Sequence, residues 1–215
     1  MRRLSGILVG GLLVTMTAGP ALAQADAWQR KWYWGAQSGA FFYSTPTVSS
    51  QTAFSVGGHW LITGRRSALY FAIDQIFFPN GATSEVSDGT APGGMRTVTF
   101  DSGRRIQAGL IAIPSDGKLQ IFLGGGIAIH QITDATAQGS TDSALLQRVE
   151  EAATRAFAFG IAGVQLRFSR KWALFGSYQY MPPSNNFLIT SEQHALTGGL
   201  RVAIGPSHEA VTTQR

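Results

Sequence analysis

Side chains able to act as nucleophiles, bases or metal ligands are sparse in this sequence. It contains no cysteine and four histidines, His59, His130, His194 and His208. Thiol chemistry and cysteine-based metal sites are therefore excluded, and the histidines are not spaced as zinc ligands are. No glycine-rich loop follows a strand and opens a helix, as a phosphate-binding loop would. We therefore expect no metal site and no cofactor.

One short stretch, residues 191–194, places a serine and a histidine close enough in sequence to suggest acyl transfer or ester hydrolysis. On a β-strand, residues an odd number of positions apart point to opposite faces. Ser191 and His194 therefore do not make a local catalytic dyad, although Glu192 lies between them. His130 would need a distant serine, and no motif supplies one. We predict no catalytic residue, with an acyl-modifying enzyme as the alternative.

The elements that carry these side chains are predicted to be β-strands. Apolar residues alternate with small or polar ones at period two, most clearly over residues 119–131. There, leucine and isoleucine occupy one face, and Gln120, Phe122 and His130 occupy the other. We predict eight strands, at residues 31–43, 51–62, 67–78, 96–113, 118–131, 154–168, 171–181 and 192–204.

The predicted connections alternate strictly in length. Tight turns are expected at 63–66, 114–117 and 169–170, and longer polar loops at 44–50, 79–95, 132–153 and 182–191. The chain is 44% apolar and 13% charged, yet no stretch after Gln24 is long and apolar enough for a membrane helix. Short turns at one rim and long loops at the other are typical of membrane barrels. We predict an all-β fold, an eight-stranded antiparallel up-and-down transmembrane β-barrel.

Aromatic residues gather at the ends of the predicted strands. The rim with short turns would carry Trp32, Trp34, Trp60, Phe168 and Trp172, and the opposite rim Tyr43, Phe77, Phe78, Tyr178 and Tyr180. Aromatic rings favour the two interfaces of a bilayer. We therefore expect both groups to face lipid, with ordinary core packing as the alternative.

Polar side chains alternate with the apolar ones and would line the barrel interior. They are Gln37, His59, Asp74, Asp101, Arg105, Gln107, Gln120, His130, Gln165, Arg167, Gln179 and Arg201. A buried charge left alone costs several kcal/mol, so we expect Asp74 and Asp101 to pair with some of the arginines. An eight-stranded barrel is only wide enough for side chains to fill it. We predict a packed polar plug, with a water or proton path as the alternative.

Two strands fit the alternation less well. In the third, Gln75 falls on the lipid-facing side, and a bulge near Asp74 could redirect it. In the sixth, Phe157 and Phe159 are out of phase with the lower part of the strand. The alternation by itself leaves the orientation of these residues open.

The third long loop has some helical character. Asp142 or Ser143 could cap a short helix, and Glu151 and Arg155 have the spacing of a helical ion pair. A mobile loop with a helical tendency explains the same residues. We favour the mobile loop as the prediction for this segment.

The N-terminal residues predict export. Arg2 and Arg3 precede a short apolar run at 7–16, and residues 21–23, Ala-Leu-Ala, form a small-x-small cleavage pattern. We expect a signal peptide over residues 1–23 and a barrel domain over residues 24–215. Loss of Arg2 and Arg3 with the signal peptide would lower the formal net charge from +5 to +3, and no block of like charges occurs, so we expect no nucleic-acid partner.

The final strand carries a family resemblance. Residues 194–204, His-Ala-Leu-Thr-Gly-Gly-Leu-Arg-Val-Ala-Ile, resemble the closing strand of the small outer-membrane barrels. These include the transmembrane domain of outer-membrane protein A, the OmpX-like proteins and the opacity-protein family. Thr197, Gly199 and Val202 resemble the signal read by the barrel-assembly machinery. Ile204 replaces the usual terminal aromatic residue, and residues 205–215 extend past the strand.

The resemblance implies a place in the outer membrane, with the N-terminus in the periplasm and four loops outside. We expect a monomer with a structural or surface-interacting role: envelope integrity, adhesion or defence through its loops. Its expected partners are outer-membrane lipid and lipopolysaccharide, the barrel-assembly machinery and extracellular ligands of the loops. The alternatives are a lipid-A-modifying outer-membrane enzyme and a soluble periplasmic ligand-binding barrel of the lipocalin type.

Overall fold

A computed structural model of the chain describes residues 31–204, except residues 65, 92, 116, 140–141 and 170. The predicted signal peptide, residues 1–23, lies outside the described residues. The elements are β1 (Lys31–Tyr43), β2 (Gln51–Thr63), β3 (Ser67–Ser87), β4 (Met95–Ala112), β5 (Leu119–Ile132), β6 (Thr136–Ala137), α1 (Ser143–Ala153), β7 (Thr154–Arg167), β8 (Trp172–Met181) and β9 (Gln193–Ile204).

Eight of these strands close into a barrel of antiparallel neighbours. β1 pairs with β2 on one side and with β9 on the other, so Trp34 lies opposite both Trp60 and Val202. The remaining pairs follow chain order from β2 to β9. The two-residue β6 pairs with β4 above the barrel ladder. The prediction of a closed eight-stranded up-and-down barrel is confirmed.

The wall of this barrel is apolar outside and polar or aromatic inside. On β5, Leu119, Ile121 and Leu123 are 62, 58 and 63% exposed, whereas Gln120 and Phe122 between them are buried. An aliphatic exterior of this kind is what the hydrocarbon core of a bilayer requires, so the barrel is a transmembrane one. A soluble lipocalin-like barrel would have the opposite polarity, and that alternative is wrong.

The two ends of the barrel differ, as the connection lengths predict. We call the end with the connections 64–66, 113–118 and 168–171 the short-turn rim, and the other end the long-loop rim. Exposed aromatic rings surround the short-turn rim, and Trp34 meets Trp60 edge to face at 4.5 Å. The predicted aromatic residues exposed at this rim are Trp32, Trp34, Trp60, Phe168 and Trp172.

The aromatic prediction is only partly right at the long-loop rim. Phe77, Tyr178 and Tyr180 are exposed on the outer wall, as expected. Tyr43 and Phe78 are instead buried inside the barrel, where their rings pack edge to face at 5.0 Å. Each inward residue alternates with an outward neighbour, so one ring of the Phe77–Phe78 pair necessarily faces the interior.

β3 and β4 rise beyond the rest of the barrel at the long-loop rim. Residues 79–95 were predicted to be a loop, but β3 continues to Ser87 and β4 begins at Met95. The upper ladder joins Ala82 to Phe100, and it continues to the Ser87–Met95 pair. We call this hairpin, residues 82–100, the β3–β4 extension.

The base of the extension contains a change of register. The ladder shifts between Phe77 and Ala82, and Gly81 there adopts the left-handed backbone conformation at φ 64°. The bulge that could have redirected Gln75 does not lie near Asp74, because regular pairing continues through that residue. Gln75 keeps its outward position on the barrel wall.

The third long loop contains a helix, so the favoured prediction of a mobile loop is wrong. Asp142 caps α1 by accepting a hydrogen bond from the Ala144 backbone N–H at 3.2 Å. Leu145, Val149 and Ala153 lie on one face of α1 and are buried. Among the described residues, no helix is both long and apolar enough to cross a membrane.

The ion pair predicted between Glu151 and Arg155 is also wrong. β7 begins directly after α1, which puts Arg155 in a strand rather than on the helix. Glu151 Oε1 instead accepts a hydrogen bond from Gln147 Nε2 at 3.1 Å. Glu151 and Arg155 have the spacing of a helical ion pair, but the helix ends two residues before Arg155, so the pair does not form.

β7 keeps a single phase along its whole length. Phe157 and Phe159 are buried on the inward face, the same face as Gln165 near the short-turn rim. The outward positions of the upper half are alanine and glycine, so the lipid-facing wall is thin there. The irregular pattern in the sequence arises because the inward face changes from aromatic to polar along the strand.

Candidate functional site

A buried ion pair crosses the middle of the barrel interior. Asp74 on β3 and Arg105 on β4 are register partners, and Arg105 Nη2 lies 2.8 Å from Asp74 Oδ2. Gln37 Nε2 donates to the other carboxylate oxygen at 2.5 Å. Both oxygens are thus engaged, which satisfies the condition for burying a carboxylate. The predicted pairing of Asp74 is confirmed.

Asp101, the other acid expected inside, is exposed. Buried residues alternate regularly along β4 as far as Gly103. Because of the register shift at the base of the β3–β4 extension, the next buried residue towards the long-loop rim is Phe100, three positions away. The inward parity is lost between those two residues, and Asp101 falls on the exposed side. Its predicted place in the polar interior is wrong.

Arg201 is a buried cation held by neutral groups. Its Nε donates to His59 Nε2 at 2.8 Å, and its Nη1 donates to Gln165 Oε1 at 2.6 Å. The guanidinium lies over the Phe175 ring at 4.0 Å and near the Phe122 ring at 5.2 Å. Stacking on aromatic faces supplies the electrostatic support that a carboxylate would otherwise give.

Amide side chains link the remaining inward positions. Gln165 Nε2 donates to Gln120 Oε1 at 2.5 Å, and Gln107 Nε2 donates to Gln179 Oε1 at 2.8 Å. Arg167, nearer the short-turn rim, is only half-buried. The predicted interior of amides and arginines is therefore present, apart from the displaced Asp101.

Several buried polar atoms of the described interior have no protein partner. They are Gln37 Oε1, His59 Nδ1, Arg105 Nη1, Gln107 Oε1, His130 Nε2, Gln193 Nε2 and Arg201 Nη2. Groups of this kind in protein interiors commonly bind individual ordered waters. The rings of Phe41, Phe122 and Phe175 pack against the two buried arginines, so the described interior is a packed plug of polar and aromatic side chains.

The residues considered for acyl transfer are not brought together. His130 Nδ1 lies 3.0 Å from Gln193 Oε1, and its ring is enclosed by Phe41 and Phe187. Ser191 Oγ accepts from the Ser44 backbone N–H at 2.7 Å, which fixes a loop rather than activating the hydroxyl.

His194 lies apart from this group, on the outer wall. Its Nδ1 is 2.6 Å from the Tyr178 hydroxyl, and its Nε2 is 3.7 Å from Glu192 Oε1. A nucleophile, a base and an orienting group within mutual reach are needed for acyl transfer. The described residues 191–194 and His130 do not provide that arrangement.

The long-loop rim is closed by a folded cap that sequence reasoning missed. We define the cap as the β3–β4 extension, α1 and loop 182–192. In that loop Phe187, Leu188 and Ile189 are 3, 1 and 0% exposed. The indication of this packing in the sequence is the apolar triplet itself, within a segment predicted to be a polar loop.

Two hydrogen bonds join the three parts of the cap. Ser84 Oγ on the β3–β4 extension donates to the Leu188 carbonyl at 2.6 Å. The Leu188 N–H donates to the Ala152 carbonyl near the end of α1 at 3.0 Å. Leu145 and Val149 of α1 are buried in the same hydrophobic cluster. The barrel mouth is therefore filled by side chains and by backbone segments that these hydrogen bonds hold together.

Solved structures share this architecture, although no family model and no curated protein matches the sequence. Neisserial surface protein A aligns with a TM-score of 0.56 at 15% identity, over 80% of this chain and 96% of that chain. The chain has the fold of the small eight-stranded outer-membrane barrels. The N-terminal β-barrel domain of Pseudomonas aeruginosa OprF aligns with a TM-score of 0.48 at 11% identity, over 82% and 100%. OprG from the same organism gives 0.47 at 8% identity, over 83% and 98%.

The cap of this barrel contains its own ion pair. Arg96 Nε lies 2.5 Å from Asp88 Oδ2 in the β3–β4 extension. The Thr90 hydroxyl and backbone N–H both donate to Asp88 Oδ1. These hydrogen bonds, together with the Arg96 guanidinium, lower the pKa of Asp88 to about 2. Arg96 also donates to the Gln138 carbonyl, which ties the extension to the segment around β6.

Within the described part of the barrel, no three histidine, aspartate or glutamate side chains converge as metal ligands do. A cavity of about 210 Å³ lies at the long-loop rim between the β1–β2 loop and the β3–β4 extension. Thr45 and Thr83 line this cavity, and the hydroxyls of Thr45 and of the nearby Thr47 both donate to the Thr83 carbonyl. Its polar groups therefore hold the loop against the extension.

Proposed function

We propose that the protein is an outer-membrane barrel whose cap forms a folded surface for interactions outside the cell. The closed mouth of the barrel is the observation that carries this proposal. Phe187, Leu188 and Ile189 are buried there, and Ser84 and Ala152 hold their backbone. A barrel filled along its length acts as an anchor, and its exposed cap is the part that a partner can reach.

The buried charges support an anchoring role over transport. Arg105 is paired with Asp74, and Arg201 is stacked on Phe175. Conducting solute past these groups would require breaking a buried pair, which costs several kcal/mol. An eight-stranded barrel has no spare width in which this could be avoided. The proposed role is therefore structural and surface-interacting, without catalysis.

The outer face of α1 is the candidate contact surface of the cap. Leu146 is 48% exposed there, beside the exposed Gln147, Arg148 and Glu150. A single exposed leucine among charged groups is more suited to a polar extracellular ligand than to a hydrophobic one. The ligand class that we propose is a polar macromolecular surface outside the cell.

We also propose how the chain is exported and assembled. Residues 1–23 would be removed as a signal peptide, leaving the domain 24–215, which the barrel-assembly machinery would insert as a monomer. The support is the small-x-small pattern at residues 21–23 and the closing strand β9. The N-terminus and the short-turn rim would then lie in the periplasm.

Site-specific labelling of intact cells tests the orientation. The chain contains no cysteine, so Gln147→Cys on α1 and Lys118→Cys at the short-turn rim each introduce a single exposed thiol. A membrane-impermeant maleimide should label Gln147→Cys in intact cells and Lys118→Cys only after lysis. Labelling of Lys118→Cys alone would invert the proposed orientation. A heat-dependent shift in gel migration of the membrane fraction verifies that both variants form closed barrels.

A further inference from the structure

Among the described residues, one arginine lies on the lipid-facing side of the barrel wall. Arg104 on β4 is exposed, and its register partners are Gln75 on β3 and Gln131 on β5. Side chains of register partners point to the same face of a sheet. The three side chains therefore form one transverse row of donors on the outer wall, which we call the Arg104 row.

The Arg104 row marks the upper limit of the aliphatic wall. Ile73, Ile106 and Ile129 form the next row towards the short-turn rim, and each is 46% exposed. Arg104 is separated from the short-turn end of β4 by eight residues. At a rise of about 3.3 Å and a tilt of about 40°, this is roughly 20 Å along the barrel axis. The apolar band of such barrels is about 25 Å tall, so the row lies near its interface.

Arg104 has no partner within the described protein. It makes no hydrogen bond or ion pair there, in contrast to the buried Arg105 and Arg201. Asp134 Oδ2, beyond the end of β5, accepts a hydrogen bond from the Ser102 hydroxyl at 2.5 Å. Asp101 is exposed nearby but lies outside ion-pair distance of Arg104. An unpaired guanidinium beside hydrocarbon is unfavourable unless an anion meets it.

We propose that Gln75, Arg104 and Gln131 bind the phosphate of a phosphorylated glycolipid in the outer leaflet. The guanidinium supplies a forked, charge-assisted donor pair, and the two amides add neutral donors on either side. The isoleucine row directly below contacts the acyl chains of the same lipid. The choice of the outer-leaflet lipid depends on the orientation given under the proposed function, because the row lies at the long-loop rim.

Native mass spectrometry of the full-length barrel in detergent tests this site. The probe is an equimolar mixture of bis-phosphorylated lipid A and the same lipid after removal of its phosphates. We expect the wild-type barrel to retain the phosphorylated form about tenfold better, and Arg104→Gln to lose that preference. Arg155→Gln on β7, an exposed arginine outside this row that is removed in the same way, should keep it.

Three results would overturn the proposal. Arg104→Gln could retain the preference, Arg155→Gln could lose it equally, or excess inorganic phosphate could displace the lipid from the wild type, which would indicate recognition of free phosphate. Gln131→Leu provides a second variant if Arg104→Gln does not fold, and it should reduce the preference severalfold. Because this binding is measured in detergent, its failure is distinguishable from an inverted orientation in the labelling experiment.

Discussion

Arg105 Nη2 lies 2.8 Å from Asp74 Oδ2 in the middle of the barrel, and both side chains are at most 1% exposed. The pair is a direct cross-strand contact, since the two residues are register partners on β3 and β4. Because the pair is buried, removing one of its two charges should have a different effect on stability from removing both. Loss of one charge leaves the other without a counter-ion, whereas loss of both leaves an apolar layer.

Arg105→Leu should therefore destabilise the folded barrel by about 3–5 kcal/mol. The double variant Asp74→Leu/Arg105→Leu should recover most of that loss, because no buried charge remains unpaired. Urea unfolding of the barrel in lipid vesicles measures both free energies of unfolding. Equal destabilisation of the single and double variants would show that the pair is not an electrostatic unit.

Gly35 should be intolerant of a side chain. A Cβ atom at this position would lie 2.1 Å from His59 Cε1, and the His59 ring is held by its hydrogen bond from Arg201. Gly35→Ala is expected to destabilise the barrel by about 1–3 kcal/mol through overpacking. Gly176→Ala is the matched control, since a Cβ there meets no atom within 4 Å. A comparable loss in both variants would mean that strand propensity, not the His59 contact, decides the outcome.

Leu188 should hold the cap in the barrel mouth. The side chain is 1% exposed, and Leu188→Ala would leave a cavity beneath α1 and the β3–β4 extension. We expect chymotrypsin to cleave after Phe187 at least about tenfold faster in this variant, since tenfold corresponds to about 1.4 kcal/mol. Leu146→Ala, which truncates an exposed leucine of α1, is the control and should cleave at the wild-type rate. Unchanged cleavage in Leu188→Ala would argue against a packed cap.

The β3–β4 extension should loosen in strong acid. The pKa of Asp88 is lowered to about 2 by its hydrogen bonds from Thr90 and by Arg96. A lowered folded-state pKa stabilises the fold above the ordinary carboxyl value of about 4, and this stabilisation is lost as pH falls through about 2. Pepsin cleavage within residues 82–100 should therefore rise as pH falls from about 4 to about 2. Asp88→Asn should cleave faster at pH 4 and show little further change; a wild-type profile in that variant would contradict the assignment.

Local sequence determined the barrel wall of this protein. Alternation at period two decided which residues of β5, for example Leu119 and Gln120, face lipid and which face the interior. The lengths of the connections decided that the strands run up and down. Both signals act between neighbours in the chain, so one sequence was enough to predict eight strands, their polarity and the inward set around Arg105 and Arg201.

Only the tertiary structure decided how the interior and the long-loop rim are completed. The register shift after Phe77 moved Asp101 outward, and packing of Leu145 and Val149 made a helix of an expected loop. Ser84 and Leu188, joined in the cap, lie 104 positions apart in sequence. Contacts of that separation depend on barrel closure, which brings distant loops to one rim. Local periodicity cannot predict these contacts, because it indicates only which face of its strand each residue occupies.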